Sequence, residues 1–411
     1  MKKYLTLLAL VILYSCSKSG SKPALPTVTT AAVTNVTDST ATAGGTVTNS
    51  GNAQDSCGVR YDTSASFKTA TQVFTTPGAG TFSLTIGNLP GGTTFFVQAF
   101  AKNSAGTAFG STVQFTTGTP PSDYTVSTYA GSGVNTFANG PALQAGFVNP
   151  VAVAVDPMGI VYVTEVLNTA NSGRIRRIAT DGTVSTLATL GEGGSELLLD
   201  PAGNIYDLDI SKTLYKLSPA GVAIAFAGNG VPTSTAVDGQ GTAAGFANPI
   251  SMDIDANGNI FVSDEHSIRK VTPSGYVSTL PTKPATGFSG IAVDQSDNIF
   301  VSDGANIEKT DTLGNITIIA GSAQGLSSFI PELRLDHNGN LVVSDAGHYR
   351  ILLITPAGVV TTIAGAGFKG VKNGPGSVAW FTEITGLTID ASNNIFAADA
   401  GAYNIRKITH N

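Results

Sequence analysis

Charge is scarce in this sequence. Only 12% of its 411 residues are Asp, Glu, Lys or Arg, about half the usual share, and the net charge is −6. No basic stripe exists, which argues against nucleic acid as a partner, and a chain so poor in charge does not read as a disordered tail protein. Cysteine is limited to Cys16 and Cys57, and the four histidines (His266, His337, His348 and His410) are scattered. No CxxC, HExxH or similar metal-ligand spacing occurs. No apolar run is long enough to span a bilayer as a mature helix. In place of these features stand 48 glycines and a hydrophobic share of 42%. That profile fits short strands joined by many tight turns.

The N-terminus has a purpose of its own. Lys2 and Lys3 precede an apolar stretch over 4–14, then Leu13-Tyr14-Ser15-Cys16. A short basic region followed by about ten apolar residues is a secretory signal. The Leu, the small residue and the Cys at the cut resemble the bacterial lipobox, with Tyr14 an uncommon occupant. The resemblance implies cleavage before Cys16 and lipidation of its thiol; the plainer alternative is an ordinary secretory signal with an incidental Cys. Acyl chains contribute about 0.8 kcal/mol per buried CH₂. Residues 17–26, mostly Ser, Lys, Gly and Pro, read as a flexible tether.

Residues 27–117 hold short alternating stretches such as Thr94-Phe95-Phe96-Val97-Gln98-Ala99-Phe100-Ala101. About seven strands in ninety residues predict a β-sandwich. Leu89-Pro90-Gly91-Gly92-Thr93-Thr94-Phe95 and Asn103-Ser104-Ala105-Gly106-Thr107 resemble fibronectin type III modules, which act mostly as spacers. Phe95 stands where that family usually has Tyr. Cys57 is a lone thiol here and reads as incidental.

From residue 123 to 411 the chain repeats itself. An apolar strand ending in Asp occurs six times, closing on Asp156, Asp200, Asp255, Asp294, Asp336 and Asp390. A second strand follows each, ending on Glu165, Asp209, Asp264, Asp303, Asp345 and Asp399. A period near forty with about four strands per unit predicts a propeller. The last unit stops after its third strand, and the segment 124–131 matches 358–365, so the early strand is expected to complete the last blade. The expected fold class is all-β, a fibronectin type III-like sandwich followed by a six-bladed β-propeller. Val262-Ser263-Asp264 with Ile268-Arg269-Lys270, and the segment 139–150 echoed at 239–249 and 374–384, resemble NHL-repeat propellers. That family holds binding modules and a few enzymes, so the resemblance does not fix the function.

Both acidic series sit at repeated positions and read as turn chemistry, each side chain capping its own backbone. A ligand site needs asymmetry instead. Long loops at 132–150, 229–249 and 366–384 should share one face and bring Phe137, Phe147, Phe246, Phe368, Trp380 and Phe381 to it. Phe147, Phe246 and Phe381 recur at one register and read as inter-blade packing. The ligand-contact candidates are Trp380, Tyr403, His266, His348, Tyr349 and Glu265. Six-bladed relatives include metal-dependent lactonases and lyases, but the inner strands offer only Asp253 and Arg334 as polar exceptions, and two histidines do not complete a zinc site. No catalytic residue or metal ligand is assigned. No cofactor is called for, and a calcium ion at the mouth has no specific motif behind it.

The expectation is therefore a monomeric exported protein, lipid-anchored at the cell envelope, in particular the outer membrane, facing the periplasm or the exterior. It would present a propeller face to a glycan, peptide or protein. The alternative is a metal-dependent hydrolase or lyase with its site at the channel mouth.

Overall fold

The computed structural model describes residues 23–49, 54–87, 89–118, 123–167, 173–191, 193–231, 236–281, 289–304, 306–311 and 314–411. Cys16, the signal segment and most of the tether lie outside them. Among the described residues the secondary structure is strand, with short 3-10 turns and no α-helix.

The chain divides into two compact units, the second comprising Val33–Thr42, Thr85–Phe95 and Gln114–Asn411. In the N-terminal region Thr27–Thr30, Ala41–Asn49 and Gly80–Ile86 form one antiparallel sheet. Thr71–Thr75, Gln54–Asp62, Thr94–Asn103 and Gly106–Phe109 form another. Val28, Val47 and Phe82 from the first sheet pack with Cys57, Ala99, Ala101 and Ala108 from the second. The Cys57 thiol is buried and donates to the Thr76 carbonyl at 3.4 Å.

The second unit is built by one local rule applied six times. A first strand runs into a tight turn whose leading Asp accepts two backbone N–H groups. Asp156 takes those of Met158 and Ile160, Asp255 those of Asn257 and Asn259, and Asp390 those of Ser392 and Asn394. The fourth turn residue must be left-handed; it is Gly159, Gly203, Gly258 or Gly339 in four turns, and Asp297 or Asn393 in the others, the residue types that tolerate positive φ. Each turn folds the chain back into an antiparallel second strand.

Six sheets of four principal strands result. We number them as blades by their first strands: Pro150–Val155, Gly194–Leu199, Pro249–Ile254, Ile291–Val293, Leu333–Leu335 and Ile384–Ile389. Each first strand packs against the next, and that of blade 6 packs against that of blade 1, which closes a ring. This is a β-propeller architecture. Blade 6 takes its outer strand from Tyr124–Ala130, which pairs with Asn404–His410. Between blades the apolar side chains interlock: Met252, Val262, Val271 and Phe246 of blade 3 cluster with Leu208 and Leu214 of blade 2. Burying each large apolar side chain stabilises by about 1.5–3 kcal/mol.

Candidate functional site

One end of the ring carries the loops that lead into the first strands and the turns between second and third strands. In blades 1, 3 and 6 a single buried arginine ties the loop down. Arg176 donates to the carbonyls of Gly146 and Ala138 and to Asn139 Oδ1. Arg269 donates to Gly245, Val237 and Asp238, and Arg406 to Trp380, Lys372 and Asn373, in the same pattern. Each guanidinium also pairs with the acid closing the second strand: Glu165 at 2.9 Å, Asp264 at 3.0 Å and Asp399 at 3.1 Å. Each lies over a fully buried ring, Phe147, Phe246 or Phe381. The recurring phenylalanines are thus packing residues.

The acids themselves do more than the sequence reading expected. Glu165 accepts the N–H of Val148, Asp264 those of Ala247 and Asn248, Asp345 that of Ser327, and Asp399 those of Thr382 and Glu383. Asp209 accepts the N–H of Gly193 as well as that of Ser211 in its own turn, so five of the six hold the incoming loop; Asp303 caps its own turn.

The predicted contact residues fall on this end, in three separate places. Glu265 and His266 are exposed in the blade 3 turn. His348 and Tyr349 lie in the blade 5 turn, where His348 Nδ1 is 3.0 Å and Arg350 Nε 2.7 Å from Asp345 Oδ2. Burial raises the Asp345 carboxyl, but its His348, Arg350 and Ser327 contacts outweigh this and hold it below the usual range. Tyr403 is the blade 6 counterpart of Tyr349: both are left-handed residues closing equivalent turns, a recurrence that the sequence comparison missed. Trp380 occupies the backbone place of Gly146 and Gly245. Its ring is covered by Phe368 at 5.6 Å and Lys372 Nζ at 5.3 Å. Around these residues the same loops leave Val134, Phe137, Val231, Phe329, Phe368 and Val371 between 44% and 58% exposed.

The strongest departure from sixfold repetition lies elsewhere, on the inner strands. At one level round the channel the equivalent residues are Ala154, Leu198, Asp253, Ala292, Arg334 and Thr388; one level further in they are Ala152, Glu196, Ser251, Gly290, Glu332 and Gly386. Small residues in most blades leave space for four charged ones. Arg334 reaches Glu332 Oε1 at 2.5 Å and, across the channel from blade 5 to blade 2, Glu196 Oε1 at 2.9 Å. Burial, with Glu196 close by, drives the Glu332 carboxyl well above its usual range against the pull of Arg334 and of the Leu333 N–H. Burial also disfavours the Arg334 charge, but Glu332, Glu196 and Asp253 outweigh it and raise that pKa. Burial likewise raises Asp253, against the pull of Arg334. Asp253 and Arg334 were legible as polar exceptions; Glu196 and Glu332 were missed. None of the six predicted contact residues lines the channel cavity formed here. Among the described residues no group of three or more His, Cys, Asp or Glu is placed to hold a metal ion.

With this geometry in view, solved structures supply fold relatives. A Bacteroides thetaiotaomicron protein of unknown function shares 16% identity over 95% of this chain and 98% of its own, with a TM-score of 0.59. An auxiliary nutrient binding protein from Bacteroides ovatus shares 14% identity over 93% and 97%, TM-score 0.53. A gluconolactonase from Xanthomonas campestris shares 11% over 71% and 91%, TM-score 0.50. At such identities the likeness is one of fold. No protein-family description and no curated protein matches the sequence.

Proposed function

We propose that this chain is an exported binding protein. A lipid on Cys16 holds it at the cell envelope, and residues 27–117 form a fibronectin type III-like spacer. The six-bladed NHL-type ring presents its loop-bearing end to a glycan, peptide or protein. One observation carries the reading: loops braced by buried arginine–carboxylate pairs nonetheless expose large apolar side chains to solvent. A loop with no partner has little reason to hold Phe329, Phe368 and Val231 outward, whereas a rigid apolar surface binds at low entropic cost. Trp380, Tyr403, Tyr349, His348, His266 and Glu265 stay the candidate polar and aromatic contacts around it. The fold relative described as nutrient binding is in keeping with such a role.

The test is an immobilised panel of oligosaccharides and peptides probed with the whole chain, then with a Phe329→Ala/Phe368→Ala variant. The expected result is a ligand bound by the wild type and weakened about tenfold or more by the variant, with unchanged thermal unfolding. A variant that binds every wild-type ligand equally well refutes the reading. Membrane fractionation of Cys16→Ala against wild type tests the anchor.

A further inference from the structure

The seam between blades 5 and 6 breaks a pattern that the other blades keep. At one register of the second strand stands an aromatic residue, paired with a cation on the third: Tyr162 with Arg177, Tyr206 with Lys216, Phe261 with Lys270, Phe300 with Lys309 and Phe396 with Lys407. The four lysine ammoniums lie between 5.0 and 5.5 Å from the ring centroids, within the range of a cation–π contact. Blade 5 has Val342 paired with Leu353 instead. Blade 6 departs as well, because its sheet is closed by two separate strands. Tyr124 and His410 stand there, their rings 4.8 Å apart edge to face, where the other blades make a tight turn on Gly182, Gly221, Gly275, Gly314 or Gly358, all at positive φ. A cavity of about 250 Å³ is lined by these replacements: Val342 and Leu353 on one side, Tyr124 and His410 on the other, with Asp336 and Asn338 of the Asp-led turn. The seam between blades 4 and 5 also holds a groove, of about 230 Å³, but Phe300 and Lys309 line it. Composition, not size, sets the blade 5–6 cavity apart.

Blade 2 shows what belongs in such a place. Asp200 and Asp336 make their turns alike: Oδ1 accepts two backbone N–H groups, and Oδ2 the side-chain amide of Asn204 or Asn340. With those bonds made, Asp200 Oδ2 still meets the Tyr206 hydroxyl at 3.5 Å and Lys216 Nζ at 3.7 Å. The same carboxylate oxygen on Asp336 therefore has room for an ammonium. In the blade 5–6 seam the phenol beside the turn is that of Tyr124, raised by burial first and then by Asp336 and Asp123. Among the described residues no Lys or Arg lines the cavity.

We infer that this cavity binds a small arylalkylammonium, its nitrogen on Asp336 Oδ2 beside the Tyr124 ring and its own ring against Val342 and Leu353. Such a ligand supplies both the ring and the charge that blade 5 lacks. An anion finds no Lys or Arg there. A bare divalent ion finds one carboxylate, whereas calcium takes six to eight oxygens. The valine and leucine wall favours an amine with an apolar body. The site lies away from the loop-bearing end and does not rest on the function proposed for it.

The experiment uses the whole chain and four probes: phenethylammonium, phenethyl alcohol, phenylacetate and glucose. Phenethylammonium should raise the melting temperature with increasing concentration and give a saturable calorimetric isotherm. The other three should leave both unchanged. Asp336→Asn, whose amide oxygen can still cap the turn, should weaken binding about tenfold or more. Val342→Phe/Leu353→Lys installs the pair that the other five blades carry; it should fill the cavity and abolish the response. The inference is overturned by no phenethylammonium response in the wild type, by an undiminished response in either variant, or by an equal response to any of the other three probes. If one variant fails to fold, the other variant and the probe series decide the matter.

Discussion

Replacing Asp207 by asparagine should stabilise this protein, and more so at higher pH. Asp207 sits on the second strand of blade 2, where the other blades carry Val163, Val262, Val301, Val343 and Ala397. It is 1% exposed and its Oδ1 has no hydrogen-bond partner. It fits only because residue 194 is glycine: a Cβ there would stand 2.1 Å from Oδ1. Burial first, then the neighbouring Asp209 and Glu196, push the carboxyl from an ordinary 3.8 to about 8. The folded chain must therefore hold a proton that the unfolded chain releases above about pH 4. The stability associated with that proton is complete below the unfolded pKa and is lost as pH rises towards about 8, at about 1.4 kcal/mol per pH unit. Asparagine needs no proton. The gap between variant and wild type should thus be small at pH 4 and widen by about 3 kcal/mol between pH 5 and pH 7.5. Urea unfolding at several pH values measures it directly. A gap that stays constant with pH would show that Asp207 is not buried as a neutral acid, and this account of the blade 2 strand would fail.

Three further outcomes follow from the same packing. Arg269→Ala removes the partner of buried Asp264 and the donor to the Gly245 and Val237 carbonyls; it should cost about 3–5 kcal/mol, read as a lowered urea midpoint. Arg334→Met should destabilise at neutral pH by a similar amount. Glu196→Gln should restore part of that loss, and a double-mutant cycle with no coupling would deny the cross-channel pair. Val126→Pro, in the strand that completes blade 6, should cost about 3 kcal/mol or more, and an unaltered melting temperature would mean that the ring does not depend on that pairing.

The parts of the fold that could be read from the sequence are those encoded locally and copied. Asp156 and its five counterparts announce each turn because an Asp, two variable residues and a Gly, Asn or Asp suffice to make it. The match between 124–131 and 358–365 was visible because both segments do the same job in the same register. The channel was harder to see. Glu196 and Glu332 stand just ahead of the apolar runs at Leu197 and Leu333, where a charged residue looks like the end of a loop. What buries them is Arg334, which is 138 residues from Glu196, and no local pattern carries that distance. Uniqueness was also a poor guide to exposure. Trp380 occurs once in the chain, yet its backbone serves as Gly146 and Gly245 do, and Phe368 and Lys372 cover its ring.

The sharing of blade 6 between Tyr124–Ala130 and Asn404–His410 has a consequence for biosynthesis. The earlier strand emerges from the ribosome some 280 residues before its neighbour, as the spacing of Thr125 and Thr409 shows. Five sectors can assemble while it waits, but the sixth cannot. A product that terminates early keeps an unpaired β-edge at each side of the gap, a mark by which proteolytic surveillance can tell it from the finished protein.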